Sequence, residues 1–211
     1  MPPVIVTDSV ISYFTQLAHR DRVRPAGVGC RAESQRTRFV ILATIRTLDG
    51  MTILDVGCGY GRLGDDLSGA GLPRTIPGLI SHAPKWAGRR VDIRWTPRTF
   101  GSALPWRRHA PTITVVASEP INVGCRDPYA TARHFFREMY RICRRGCAMP
   151  LTSLGADAPD YVRYHDPAAV LTYALELTLF VRLDPSYFAD GFDVFCFRPD
   201  WHATAGDVQR L

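Results

Sequence analysis

The twelve residues Ile53-Leu54-Asp55-Val56-Gly57-Cys58-Gly59-Tyr60-Gly61-Arg62-Leu63-Gly64 decide the fold of this 211-residue chain. They couple a short apolar strand, an acidic residue near its end and a run of glycines that lets the backbone approach a ligand. Glycine takes φ > 0 at little steric cost and leaves no Cβ in the way, although it loses more entropy on folding than any other residue. Glycines at 57, 59 and 61 together exceed what a tight strand-to-helix turn requires, so a ligand is expected there. Read from Gly59, the segment matches G-x-G-x-x-G, the dinucleotide fingerprint, which needs a strand before it and a helix after it. Read from Asp55, the pattern is strand-Asp-x-Gly-x-Gly-x-Gly.

The elements around this string are those of an alternating α/β chain. Upstream, residues 33–48 read as a helix with Ser34 as its N-cap and Phe39, Ile41, Leu42, Ile45 and Leu48 on its apolar face. The first strand is expected over 51–56 and a helix over 60–70, ended by Gly71 and Pro73. A second strand over 74–80 is interrupted by Pro77, and a helix over 83–90 leads to a third strand over 91–95. The β-branched run 112–117 suits the centre of a parallel sheet.

Asp127 and Pro128 start a helix expected to reach Arg145 and stop at Gly146. A strand over 147–152 follows, and Asp166-Pro167 repeats the same start signal for a helix to Leu177. Two extended runs, 180–187 and 192–197, flank a turn ending in Asp190-Gly191 and should pair antiparallel.

Composition sets the outer limits. With 46% hydrophobic and 22% charged residues the chain is an ordinary globular protein of about one domain. No apolar run approaches the roughly 18 residues of a membrane span, and the first residues lack the pattern of a signal peptide, so a cytoplasmic protein is expected. The six cysteines include no C-x-x-C pair and read as reduced, mostly core thiols with no zinc site or disulfide framework. Cys143 and Cys147 read as separated by the helix stop at Gly146. Net charge is +6 and Lys85 is the single lysine. The arginines read as dispersed rather than striped, so no nucleic-acid partner is expected.

With these residues quoted, the chain resembles class I S-adenosylmethionine (SAM) dependent methyltransferases of the small bacterial type. The string at Asp55 looks like their motif I, the segment 28–39 looks like the cap that precedes motif I and closes over SAM, and 116–123 looks like motif IV at the carboxyl end of the fourth strand. The resemblance implies a Rossmann-like, seven-stranded, mostly parallel sheet with helices on both faces. Residues 1–33 would form an N-terminal helical cap, with a helix over 8–19, and 34–211 the SAM-binding domain. It implies that Asp55, Gly57, Cys58, Gly59, Gly61, Arg31, Ser34, Ser81 and Ser118 hold the cofactor, SAM. Glu119, Asn122 and Tyr13 are the catalytic candidates. The family's acidic residue at the end of strand two, which accepts both ribose hydroxyls, has no counterpart here: no Asp or Glu occurs between Asp66 and Asp92, and Ile80 or Ser81 stands in its place.

Methyl transfer from a sulfonium asks for in-line positioning and, for some acceptors, a group that takes a proton. The implied activity is a methyltransferase acting in small-molecule biosynthesis, as a monomer or homodimer, without membrane or metal. Two alternatives stay open. One is a SAM-consuming enzyme of the same fold that releases methylthioadenosine, as azetidine-2-carboxylate synthases do; the other is a degenerate SAM-binding protein. The histidines give no H-E-x-x-H or triad spacing. His134 reads as structural and His165 as a loop residue before the Asp166 cap. Tyr161 and Tyr164 with Asp157 and Asp160 form a polar-aromatic loop that could hold the acceptor.

Overall fold

The computed structural model describes residues 16–17, 19–21, 32–45, 52–56, 62–69, 75–78, 113–117, 127–153, 164–185 and 191–200. Along the chain run α1 (Ala32–Ala43), β1 (Thr52–Val56), α2 (Arg62–Gly69), β2 (Thr75–Gly78), β3 (Ile113–Ala117), α3 (Pro128–Ile142), β4 (Gly146–Thr152), α4 (Pro167–Leu175), β5 (Val181–Asp184) and β6 (Gly191–Phe197). The strands form one mixed sheet in the order β2-β1-β3-β4-β6-β5. β1 pairs parallel with β2 and β3, and β3 parallel with β4, whereas β6 runs antiparallel to both β4 and β5. The expected strand over 91–95 lies outside the described residues.

Side chains alternate across each strand, and the two faces carry two cores. Leu54, Val56, Val115, Ala117, Cys147, Met149, Val194 and Cys196 face α3 and α4, where Phe135, Phe136, Met139, Val170 and Tyr173 meet them. Ile53, Val116, Ala148, Phe195 and Phe197 face the other way, toward Phe39 and Leu42 of α1 and Leu63 and Leu67 of α2. Helices therefore cover both faces, as expected of the α/β class.

The two Asp-Pro starts are used as the sequence suggests. Asp127 is extended at the N-cap of α3 and accepts from Ala130 N at 2.9 Å, and Asp166 caps α4 by accepting from Ala168 N at 3.0 Å. Asp127→Ala is expected to cost about 1 kcal/mol, the usual scale of a lost N-cap, read as a lowered urea midpoint at unchanged m-value.

Several expectations need correcting. Ser34 is not the N-cap of α1: the helix already begins at Ala32, which puts Ser34 in its first turn. α1 ends at Ala43, before the expected Leu48, and Thr44 and Ile45 form a turn whose amides return to Ile41 O and Leu42 O. Gly146 does not stop α3, which ends at an extended Cys143 (ψ 150°), and Gly146 opens β4. The helix over 8–19 is seen at residues 16–17 and 19–21, where Arg20 pairs with Asp21 at 2.7 Å. The arginines are not all dispersed: Arg133, Arg137 and Arg141 recur every fourth residue on the exposed side of α3. Two of these are locally paired, Arg133 with Glu176 and Arg141 with Glu138.

Candidate functional site

Because β1, β3 and β4 are parallel, their carboxyl ends share one edge of the sheet, where an open α/β sheet holds its ligands. Asp55 stands at that end of β1. Its neighbours in register are Pro77 of β2 and Val116 of β3, and it lies on the α1 and α2 face, between Leu54 and Val56, which point the other way. Only 2% of the residue is exposed, and Oδ1 has no hydrogen-bond partner. Burial without a countercharge pushes its carboxyl up to about 7. A buried carboxyl lacking a partner is costly, and a cationic group brought to this edge would supply what the fold leaves out.

His165 is the second buried titratable group at this edge. It bridges Ser153, just past β4, and its amide donates to Thr152 O at 2.8 Å. The side chain is fully buried, edge-on to Tyr129 with ring centroids 5.7 Å apart, and neither ring nitrogen has a hydrogen-bond partner. Desolvation lowers its pKa to about 4, so the ring is neutral at physiological pH. Tyr129 in turn accepts from Asp166 N at 3.2 Å through its hydroxyl. Tyr173, tilted against Phe136 at 5.9 Å, carries a buried hydroxyl without a partner, and burial raises its pKa. The sequence places His165 in the loop before the Asp166 cap, and the structure buries it there in a bridge to Ser153. The available signal was its place directly before an Asp-Pro helix start, which sets it between the end of β4 and the first turn of α4.

Asp55 is in register with Val116 of β3 and, through it, Ala148 of β4, whereas His165 bridges Ser153, so the two groups are offset by about 16 Å along the strand direction. They lie toward opposite faces of the sheet: Asp55 on the α1 side, His165 against Tyr129 of α3.

Of the residues expected to hold a cofactor, Asp55 and Ser34 are described. Ser34 is half-buried in the first turn of α1, and no hydrogen bond joins it to Asp55. Arg31, Gly57, Cys58, Gly59, Gly61, Ser81 and Ser118 lie outside the described residues, as do Tyr13, Glu119, Asn122 and Tyr161. Among the described residues, no helix is long and apolar enough to cross a membrane, and no group of three His, Cys, Asp or Glu is arranged to hold a metal ion.

No protein-family model matches this sequence, nor does any curated protein. Solved structures do. An O-methyltransferase family protein from Burkholderia thailandensis matches with a TM-score of 0.53 at 10% identity, over 96% of this chain and 65% of that one. The magnesium protoporphyrin IX methyltransferase from Synechocystis PCC 6803 with bound SAM matches with a TM-score of 0.50 at 13% identity, over 92% of this chain and 99% of that one. At such identities the likeness is one of fold: this chain shares the α/β fold of SAM-dependent methyltransferases.

Proposed function

We propose that this chain is a SAM-dependent methyltransferase that moves the sulfonium methyl to a small-molecule acceptor. The observation that carries the proposal is Asp55, a buried carboxyl with an unpartnered oxygen at the carboxyl end of β1, immediately before the glycine string. SAM is a cation with a free ammonium, and Asp55 suits a cationic partner in a way that a neutral or anionic ligand would not exploit. When bound, SAM supplies an electrophilic methyl. In this proposal Gly57, Cys58, Gly59 and Gly61 let the backbone pass close under it, and Ser34, Arg31, Ser81 and Ser118 complete its surroundings. Glu119, Asn122 and Tyr13 face the methyl, and residues 1–33 act as the cap on the domain 34–211.

The sheet is proposed to gain a seventh strand at 91–95, outside β2. The proposal includes a small acceptor, no nucleic-acid partner, a cytoplasmic setting and a monomer or homodimer, as the sequence leads one to expect. With no acid at the end of β2, Ser81 and backbone groups take over the ribose.

Calorimetry with SAM tests the first step. The affinity is expected to rise with pH up to about 7 and level off above it, because only the ionised Asp55 attracts the cation. Below that point each unit of pH costs up to about tenfold. Incubation with SAM alone then separates the reactions by product mass. S-adenosylhomocysteine only on addition of an acceptor means methyl transfer, whereas methylthioadenosine without one means the cyclase. Absence of binding at pH 8 would remove both.

A further inference from the structure

β5 is the last strand of the sheet, and among the described residues no strand lies beyond it. Its inner side is bonded to β6. Phe197 N donates to Phe180 O at 2.9 Å, so 180 and 197 are a hydrogen-bonded pair, and by antiparallel alternation so are Arg182 with Phe195 and Asp184 with Asp193. The backbone N–H and C=O of Val181 and Leu183 therefore point away from the sheet. All four residues of β5 are half-buried, whereas those of β4 and β6 are nearly all buried. Beside this rim Leu179, in the bend before β5, is 83% exposed, and Leu175, at the end of α4, is 42% exposed.

Sheet edges are usually blunted by a charge, a proline or a bulge. β5 carries a charge at its centre, Arg182, but the guanidinium is drawn over the sheet. Its Nη2 donates to Thr44 O and Oγ1 at 3.1 and 3.0 Å, and the group stacks on the Phe195 ring at 3.8 Å. Arg182 so placed does not guard the outer backbone of Val181 and Leu183.

We propose that β5 is the docking edge for a second copy of this chain, with two β5 strands pairing antiparallel about a two-fold axis through Leu183. Two six-stranded sheets then join into one. Val181 and Leu183, with their outward backbone groups, allow three two-fold registers. With Arg182 on the axis, two guanidinium groups face each other. With Val181 on the axis, Arg182 faces Phe180 of the second copy. With Leu183 on the axis, Arg182 faces Asp184 of the second copy, and the contact occurs twice.

Opposite charges across a strand pair stabilise it and like charges oppose it. Arg182 and Asp184 lie on one face of β5, in register with Phe195 and Asp193, so the third register closes a ring of four alternating charges. That match is of the strand with itself, which singles out a second copy over an unrelated extended peptide. An isologous contact of this kind is complete at two chains. Neither SAM nor an acceptor enters it, so it stands apart from the methyl-transfer reading.

Sedimentation equilibrium of the full chain from about 1 to 200 µM covers the range in which a small interface associates. A species of twice the chain mass is expected. Leu183→Pro removes an N–H that β6 does not use and sets a ring on the outer edge; it should weaken the dimer at least about hundredfold and leave the far-UV circular dichroism unchanged. Asp184→Arg and Arg182→Asp each set like charges opposite one another and should weaken it at least about tenfold. Mixed together, these two variants should associate, because each brings the charges that the other lacks. If Arg182→Asp fails to fold without its Thr44 contact, Leu183→Pro and Asp184→Arg carry the test. A monomer throughout the range, a larger assembly, a dimer indifferent to Leu183→Pro or to Asp184→Arg, or folded charge variants that stay apart when mixed would each overturn the proposal. Equally slow hydrogen exchange of the Val181 and Leu183 amides at both ends of the range would overturn it too, since another part of the same chain would then cover the edge.

Discussion

Asp55→Asn is expected to make the protein more stable at pH 8, by about 4 kcal/mol, while abolishing SAM binding. The folded-state pKa of about 7 lies some three units above the ordinary value of 3.8, and each unit corresponds to about 1.4 kcal/mol. The sign follows from proton binding. The folded state holds the Asp55 proton more tightly than the unfolded chain does, so this group's contribution to stability is fully present below pH 3.8 and is lost as pH rises through 7. At pH 8 the wild-type protein carries the whole cost of a buried, unpartnered carboxylate, and asparagine removes the charge at nearly the same volume. For a chain of this length the gain amounts to about 10 °C in melting temperature. Thermal unfolding at pH 8 checks the stability and calorimetry the binding. A variant that melts lower than wild type would show that Asp55 has a partner after all, and one that still binds SAM would free the site from this residue.

The second large effect is a cancellation that His165→Phe should expose. Burial lowers the His165 pKa from 6.5 to about 4, so its contribution is fully present above pH 6.5 and is lost as pH falls through 4, at a total of about 3 kcal/mol. Between pH 6.5 and 4, therefore, acidification weakens the fold through His165 and strengthens it through Asp55. The wild-type protein should show a nearly flat stability profile across that window. His165→Phe keeps an aromatic ring against Tyr129 and removes the acid-sensitive half, so stability should climb steadily as pH falls from 7 toward 4. Asp55→Asn should show the reverse, a steep loss on acidification. Urea unfolding of the three proteins at pH 4.5, 6 and 8 reads the pattern. Parallel profiles for wild type and His165→Phe would mean that the ring is solvated or paired.

Much of this architecture is visible in the sequence because it rests on local chemistry. Asp127-Pro128 and Asp166-Pro167 start helices through a side-chain carboxylate and a fixed φ, neither of which depends on the rest of the fold. The apolar runs of β1, β3 and β6 follow from burial on both faces of the sheet. The helix ends were harder to read. Gly146 looked like a stop, yet α3 ends at Cys143 because the chain needs only the bend at 144–145 to bring β4 back into the sheet. Glycine there serves a buried strand instead. Ser34 offered a cap that the chain does not use, since Ala32 is already helical.

At the site, the position of Asp55 at a strand end could be read from Ile53 to Gly57, but its lack of a partner could not, because that depends on which atoms the neighbouring strands bring beside it. The same holds for His165, whose burial arises where the end of β4 and Tyr129 of α3 close around it.

The placement of β6 bears on how the chain acquires its structure during synthesis. β4 and β5 are not paired with each other; β4 joins the sheet through β3, whereas β5 joins it through β6, which comes later in the sequence than either. A nascent chain that has emerged as far as Asp184 exposes an unpaired edge on β4 and has nothing for β5 to pair with. Such edges recruit other chains, and contacts of long sequence separation form slowly. The reversed strand thus acts as a closing bolt, and the interval between synthesis of β5 and of β6 is when this protein is most exposed to misassembly and most in need of a holding chaperone.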